Sequence, residues 1–405
     1  MKILTFTSLF PNAERPNFGI FIYQRLAHLV RRQGTTAEVI APVPYFPPWL
    51  DSENWGSFAR IPSSETIHAF RVYHPRYPLV PAISMPLHGW LMFLGSRSIA
   101  RDLNNRFNFD CIDAHYIYPD CFAAILLGKM LKLPVVVSAR GTDINSFSKM
   151  VGIRPMIRWT LRRATKIIAV SQALKDAMVS LGVPAQKISV IPNGVDLERF
   201  HPVDQTEARR ALGVSPDAKI AVAVGSLTEG KNHALLLQAL GKLAKDHPNY
   251  QLYVLGLGAL RDQLMRMVDE LQLARNAFLV GSRPNEELQT WFSAADVSCL
   301  ISSREGWPNV VMESLACGTP VLATRVGGVP EILVSEQLGA FVELNVDSVA
   351  AGLQSAFQKN WDREAIAQHG RARDWNAVAG EVEEVFQGAI KDYKASRARG
   401  NFSAA

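Results

Sequence analysis

Two glutamates eight residues apart, Glu305 and Glu313, are the side chains of this 405-residue chain best placed to do chemistry. Glu305 opens the stretch Glu305-Gly306-Trp307-Pro308-Asn309, and Glu313 follows in Val310-Val311-Met312-Glu313. Pro308 reads as a first-turn residue, since a missing N–H loses nothing there, and Gly318 reads as the C-terminal cap. Glu305 then lies in a loop at the carboxyl end of a strand, while Glu313 rides the following helix. Carboxylates so placed accept hydrogen bonds from several hydroxyls, as a sugar and a ribose require. A solvated loop glutamate and an exposed helix glutamate are the plainer alternative for an isolated pair.

Two further segments suit an anion. Gly327-Gly328-Val329-Pro330-Glu331 sets a glycine pair before a helix N-terminus, where N–H groups can meet phosphate; a tight turn is the alternative. Gly225-Ser226-Leu227-Thr228-Glu229-Gly230-Lys231 holds the corresponding place after an earlier strand. Lys231 would meet a diphosphate there as a point charge, or serve as a solvated lysine at a helix start. No Asp-x-Asp triplet occurs, so the usual carboxylate anchor for a catalytic divalent metal is missing and no metal or other cofactor is expected.

Strand-like and helix-like runs alternate along the chain to position these residues. In the first half Ile3–Ser8, Val39–Val43, Cys111–Ala114, Pro134–Ser138, Lys166–Val170 and Ser189–Pro192 read as strands. Ile20–Gln33 reads as a helix, and 44–86 as an irregular stretch rich in Pro and aromatics. The pattern restarts with a strand at Lys219–Val224, a helix at His233–Ala244 and a strand at Gln251–Leu255. It runs on through a helix at Asp262–Gln272, the strand Phe278–Val280, a helix at Asn285–Ala294 and the strand Val297–Ile301. The helix Pro308–Ala316 and the strand Pro320–Ala323 complete it. Short runs apolar on both faces belong to parallel sheets covered on both sides. The expected class is α/β, with two doubly wound Rossmann-like domains facing a cleft, spanning 1–200 and 201–372. Val195–Asp217 reads as the linker, 373–394 as a last helix and 395–405 as a flexible tail.

Residues 1–200 hold 23 Lys/Arg against 13 Asp/Glu, a net +10, while 201–405 hold 20 against 24, a net −4. Opposite signs point to different partners for the two halves, the first of them anionic. Arg97, Arg101 and Arg106 follow the apolar run Trp90–Leu94, and Arg154, Arg158, Arg162 and Arg163 interleave with Met156, Ile157, Trp159 and Leu161. Such interleaving suits a helix lying on an anionic membrane surface or a lipid-diphosphate acceptor; a sheet-packed helix with a solvated charged face is the alternative. The pI of about 9.1 alone would also suit nucleic acid, but no binding module or stacking platform accompanies it, so no nucleic-acid partner is expected. Cys111, Cys121, Cys299 and Cys317 form no CxxC pair and read as buried thiols of a cytosolic protein. The longest apolar stretch is too short to span a bilayer, so a cytoplasmic chain, peripheral on the cytoplasmic face of the membrane, is expected.

Taken together these stretches resemble the family 4 (group 1) glycosyltransferases of GT-B architecture, over nearly the whole chain. The specific parts are Glu305-Gly306-(x)6-Glu313, Ala316-Cys317-Gly318-Thr319-Pro320-Val321, Gly327-Gly328-Val329-Pro330-Glu331-Ile332 and Ile191-Pro192-Asn193-Gly194-Val195-Asp196. The resemblance implies a retaining transfer from a nucleotide sugar held by the second domain to a glycan or lipid-linked acceptor bound by the first. By the same resemblance Glu305 binds donor-sugar hydroxyls, Glu313 the ribose and Lys231 the diphosphate, helped by Asn309, Val310, Gly327 and Gly328. Gly19 matches the family's glycine at the first strand-to-helix turn, where a side chain would block the diphosphate. His115 matches the histidine near the reacting sugar, a satisfied hydrogen-bonding histidine at a strand end being the alternative. Arg140-Gly141-Thr142-Asp143 matches a segment shaping the acceptor side, Asp143 alternatively an N-cap-like loop residue, with Arg154, Arg158 and Arg162 toward the membrane. One departure is Ser226, where the family has Arg after the glycine of Gly225; Arg283, Arg304 and Arg325 are candidates for the missing cation. A protein of this fold that binds a nucleotide sugar or glycan without transfer is the alternative that Ser226 favours. A looser resemblance links Phe10–Phe21 to transferases building teichuronic-acid-type bacterial surface polysaccharides.

Overall fold

The computed structural model describes residues 1–32, 34–45, 56–79 and 84–398. The expected helix end at Gln33, part of the irregular stretch and residues 399–405 of the tail lie outside them. The chain divides into two compact units, Met1–Asn193 together with the C-terminal segment from Trp375, and Gly194–Asp374. The division falls at Asn193/Gly194 rather than after residue 200, and for a packing reason. Ile191 is buried with the core of the first unit, whereas Val195 and Phe200 are buried in that of the second. Val195–Asp217 is therefore not a free linker, and part of it, Gln205–Leu212, is a helix capped by the Asp204 side chain.

The second unit is a six-stranded parallel sheet. Its order is Ala277–Gly281, Tyr250–Leu255, Lys219–Val224, Val297–Leu300, Val321–Thr324, Gly339–Val342. Side chains alternate across a strand, so a strand buried on both sides feeds two cores. Ile220 and Val222 of the central strand join the cluster containing Trp291, Phe292, Met312 and Leu315. Ala221 and Ala223 join the other, with Leu236, Leu240, Leu264 and Leu353.

The first unit carries an eight-stranded sheet whose centre, Lys2–Phe6, lies between parallel Thr36–Ile40 and Cys111–His115. Connections run outward both ways from Lys2–Phe6, so its carboxyl end and that of Cys111–His115 mark the topological switch point, the usual ligand position in such sheets. The strand expected through Val43 stops at Ile40. Pro42 has no N–H for a ladder, and Val43–Tyr45 pairs instead with Arg76–Pro78 in a separate two-stranded sheet. The stretch from Trp90 to Arg106, whose interleaved apolar and basic residues suit a helix, lies in a helix of 20 residues, His88–Phe107.

The final helix is longer than expected. Trp375–Ala398 includes the first residues assigned to a flexible tail. Trp375, Val378, Val382, Phe386 and Ala389 recur at three- and four-residue steps and are buried against Leu26 and Leu29 of the helix Ile20–Arg31. Arg32 and Glu383 form an ion pair along the same contact, and Lys166 reaches Asp392 at 2.8 Å. All four cysteines are buried and free. Among the described residues no helix is long and apolar enough to cross a membrane. Phe386 has no exposed surface, so Phe386→Ala should cost the first unit about 3–5 kcal/mol. Urea unfolding followed by far-UV circular dichroism measures this, and an unchanged midpoint would show that the helix does not belong to that core.

Candidate functional site

In the second unit the loops after three strands are stitched together at their carboxyl ends. The loop after Lys219–Val224 contributes Lys231, whose Nζ lies 2.6 Å from Glu305 Oε1 in the loop after Val297–Leu300. Asn232, in the left-handed region at φ 50°, donates its side-chain amide to Ile301 O and Ser303 Oγ, both at 2.8 Å. Ser303 N–H returns a bond to Gly230 O. The third loop presses on the second: Gly327 has φ +53°, and a Cβ there would stand 2.1 Å from the Glu305 carbonyl oxygen. Gly328 N–H donates to Gly306 O at 3.0 Å.

These contacts give several residues places other than those expected. The glycine pair seats the third loop on Glu305-Gly306, and the Gly328 N–H, expected for phosphate, is already bonded. The helix after it, Val329–Ile332, is a single turn. Pro308 is the N-cap, with extended ψ 97°, and the helix begins at Asn309 rather than at the proline. Asn309 and Val310 are its first turn, where N–H groups have no partner within the helix. Gly225 lies against Lys231, a Cβ there standing 3.6 Å from Lys231 Cε. Ser226 is exposed, and its carbonyl faces His233 Nε2 at 3.3 Å. Burial and the Lys231 charge outweigh that bond and push His233 down to about 4. Glu313 sits partway into the protein, where desolvation drives its carboxyl up to about 7, against the pull of Arg199 and with Asp196 adding to the rise.

The candidate cations are scattered. Arg304 is exposed in the loop beside Glu305. Arg283 lies 3.7 Å from Glu287 one turn on, an exposed pair of little weight. Arg325 begins the third loop, but its guanidinium stacks on the Phe341 ring of the edge strand at 3.9 Å.

In the first unit the switch point holds a buried charge network, only part of which was legible. Arg25 comes from the helix Ile20–Arg31, and its Nη2 reaches both oxygens of Asp113 at 2.5 and 2.6 Å while Nη1 donates to Ser138 Oγ. His115 was expected beside a reacting sugar or, alternatively, as a satisfied hydrogen-bonding histidine at a strand end. Its side chain is fully buried, with Nε2 3.1 Å from Asp113 Oδ2 and Nδ1 facing Arg140 Nη2. Both ring nitrogens face guanidinium donors, Nδ1 that of Arg140 and Nε2 that of Arg25 at 2.9 Å, and Nε2 is shared with the Asp113 carboxylate. Burial and the two guanidiniums push the imidazole down to about 3, outweighing Asp113, so it is neutral. Burial alone would raise the Asp113 carboxyl; Arg25 and His115 hold it well below the usual range.

Asp143 is fully buried and Arg140 half-buried, both bonded to neighbouring residues of the first unit. Arg140 donates to Asn193 Oδ1 at 3.2 Å and lies over the Phe21 ring, and burial beside Arg25 lowers its guanidinium to about 9. Asp143 accepts N–H bonds from Ile117, Arg140 and Gly141, which makes it the anchor of its own loop. Gly19, at φ 67°, caps the first helix as placed, but for another reason: a Cβ would strike the Leu9 carbonyl oxygen at 2.3 Å before it met any ligand. Sequence reasoning passed over Arg25, Asp113 and Asp120. The signals were present: Arg25 lies on the apolar stripe of Ile22, Leu26 and Leu29, and Asp113 lies inside an otherwise apolar strand. Asp120 is fully buried, accepts from the Ser8 N–H and Oγ, and is raised to about 7, chiefly by desolvation.

Comparisons with known proteins bear on the family and the fold. Residues 204–373 match the family model described as Glycosyl transferases group 1, and 19–199 match Glycosyltransferase Family 4. TuaC of Bacillus subtilis (strain 168), a glycosyltransferase named for teichuronic acid biosynthesis, is 29% identical over 347 residues, covering 83% of this chain and 84% of that one. A D-inositol 3-phosphate glycosyltransferase from Actinosynnema mirum is 34% identical over 52% of this chain and 58% of its own length. Among solved structures, sucrose-phosphate synthase from Thermosynechococcus elongatus is similar with TM-score 0.77 and 19% identity, covering 96% of this chain and 99% of that one. Anabaena HepE, solved with UDP and glucose, is similar at TM-score 0.70 and 18% identity, over 96% and 100%. The chain belongs to the group 1, family 4 glycosyltransferases, and its two doubly wound units are the Rossmann-like domains of the GT-B fold.

Removing one member of a buried ion pair leaves the other charge uncompensated, so Asp113→Asn should cost the first unit about 3–5 kcal/mol. Because the Asp113 carboxyl is held low, this contribution is complete above about pH 4 and fades only as pH falls through the folded value. Urea unfolding at neutral pH should show the loss in full; equal stability of Asp113→Asn and the unaltered chain would mean that the pair carries none of the fold.

Proposed function

We propose that the protein transfers a sugar, with retention of anomeric configuration, from a nucleoside-diphosphate sugar to a lipid-linked or growing cell-surface polysaccharide. In this reading the chain works in the cytoplasm, peripheral on the cytoplasmic face of the membrane. The observation that carries the donor half is the Lys231–Glu305 pair at 2.6 Å, held by three mutually bonded loops at strand carboxyl ends. A nucleoside diphosphate leaves with growing negative charge, so the site needs fixed positive charge and amide dipoles where that charge develops. Lys231 and the helix start at Asn309-Val310 would supply them without a metal, while Glu305 accepts from sugar hydroxyls and Glu313 from the ribose. In this reading His115 and Arg140 set the shape of the acceptor side from within, by holding Asp113 and the loop around Asn193. The acceptor class is supported by the likeness to TuaC.

Ser226 favours a second reading, a nucleotide-sugar binder of reduced or no transfer activity, because it supplies no charge to a diphosphate. A panel of UDP-, GDP- and ADP-sugars separates the two readings. A true donor raises the melting temperature and is turned over, with product anomeric configuration read by NMR; stabilisation without turnover establishes the binder. Lys231→Ala should weaken nucleotide affinity by about tenfold to a hundredfold, the worth of one charged hydrogen bond. Glu305→Ala should abolish transfer; full activity in that variant would sink the assignment. An ionised carboxylate accepts from ribose hydroxyls on both oxygens and more strongly than the protonated acid, so affinity should climb as pH rises through about 7. Calorimetric titration across that range should show the climb, and Glu313→Gln should flatten it.

A further inference from the structure

We infer that one face of the first unit is a docking site for an anionic phospholipid bilayer, with a pocket on the helix Arg154–Arg163 that takes a lipid phosphate. The inference rests on the proposed lipid-linked acceptor only for its purpose; its physical basis is separate. Lys149, Arg154, Arg158, Arg162 and Arg163 line a cavity of about 640 Å³ together with Trp159. The Nη2 atoms of Arg158 and Arg162 lie 3.8 and 3.9 Å from the point where a Cβ on Gly182 would sit, so two like charges converge on one spot. No salt bridge among the described residues joins any of these five cations to a carboxylate. The Arg163 Nε hydrogen is shielded from solvent without an acceptor. The carbonyl at the helix end is already bonded, since Lys187 Nζ donates to Arg162 O at 2.6 Å. Convergent guanidiniums left without a counter-charge are the arrangement that phosphate completes.

The surroundings identify the source of that phosphate as a bilayer rather than a free ion. At the pocket's lip Val151 is 90% exposed and Met150 42%. A string of rings joins the pocket to the neighbouring helix: Trp159 to Phe122 at 4.8 Å, and Phe122 to Trp90 at 5.5 Å. There Leu87, Trp90 and Leu94 are exposed at helical spacing, and the same stripe continues into exposed Arg97 and Arg101. Apolar side chains that would enter an acyl boundary are thus rimmed by cations that would meet headgroups, the distribution of an interfacial element.

Co-sedimentation of the full chain with phosphatidylcholine vesicles, with and without phosphatidylglycerol, tests this. Binding should require phosphatidylglycerol and weaken at high salt. Arg158→Gln/Arg162→Gln should weaken it on the order of tenfold, from about 1 kcal/mol per basic residue near the surface. Val151→Asp, at a position too exposed to threaten folding, should also weaken it, while Arg266→Gln on the other unit should not. Nucleotide-sugar affinity, measured in solution on the same proteins, should stay unchanged. Equal binding to both vesicle types, or undiminished binding by the double variant, overturns the inference. Retention on heparin or inorganic phosphate without vesicle binding overturns it too, in favour of a soluble polyanion. Normal vesicle binding by a chain that binds no nucleotide sugar would count against the transferase proposal and leave this one standing.

Discussion

Everything proposed for the second unit depends on one backbone contact, the packing of Gly327 directly on the Glu305 carbonyl. A methyl group there would overlap the oxygen, so only glycine lets the third loop come down onto the second. With the loops in contact, Gly328 bonds Gly306 and Glu305 is confined to one position, next to Lys231. The Asn232 amide ties the same loop from the opposite side. A carboxylate and an ammonium on three flexible loops would lose most of their value to conformational entropy; here the backbone has already met that cost before any ligand arrives.

The first unit uses charge in two opposite ways. At the switch point Arg25, Asp113 and His115 are buried and, with half-buried Arg140, bonded to one another, and the imidazole is kept neutral by its surroundings. Such a network is a rigid wall for whatever binds beside it, since removing one partner strands the next. On the helix Arg154–Arg163 the guanidiniums converge without a carboxylate among them. Both clusters are arginine-rich in sequence, and only their partners distinguish a structural charge from a receptive one.

Much of the fold was legible because parallel sheets leave a strong local trace. Lys219–Val224 and Tyr250–Leu255 are apolar on both faces, as strands feeding two cores must be, and their positions could be read directly. Pro42 cut a strand short through its missing N–H, a local rule applied too weakly. The helix His88–Phe107 was legible from its interleaved apolar and basic residues but not in its bounds, because its buried positions include Gly89, Ser96 and Ala100, small residues that give little hydrophobic signal. The unit boundary was misplaced since Val195 and Phe200 look like linker residues until the core they enter is known.

By itself the sequence determined the α/β class, the restart of the pattern near residue 216 and the family motifs, because these depend on local periodicity and short spacings. Only the tertiary structure decided that His115 and Asp143 are buried, that the Gly328 amide is already bonded, and that Arg325 stacks on Phe341. The reason is common to all of them. A side chain's role depends on which distant groups desolvate it and which accept its hydrogens. His115 meets Arg25 from ninety residues away in the chain, a distance over which no local pattern carries information.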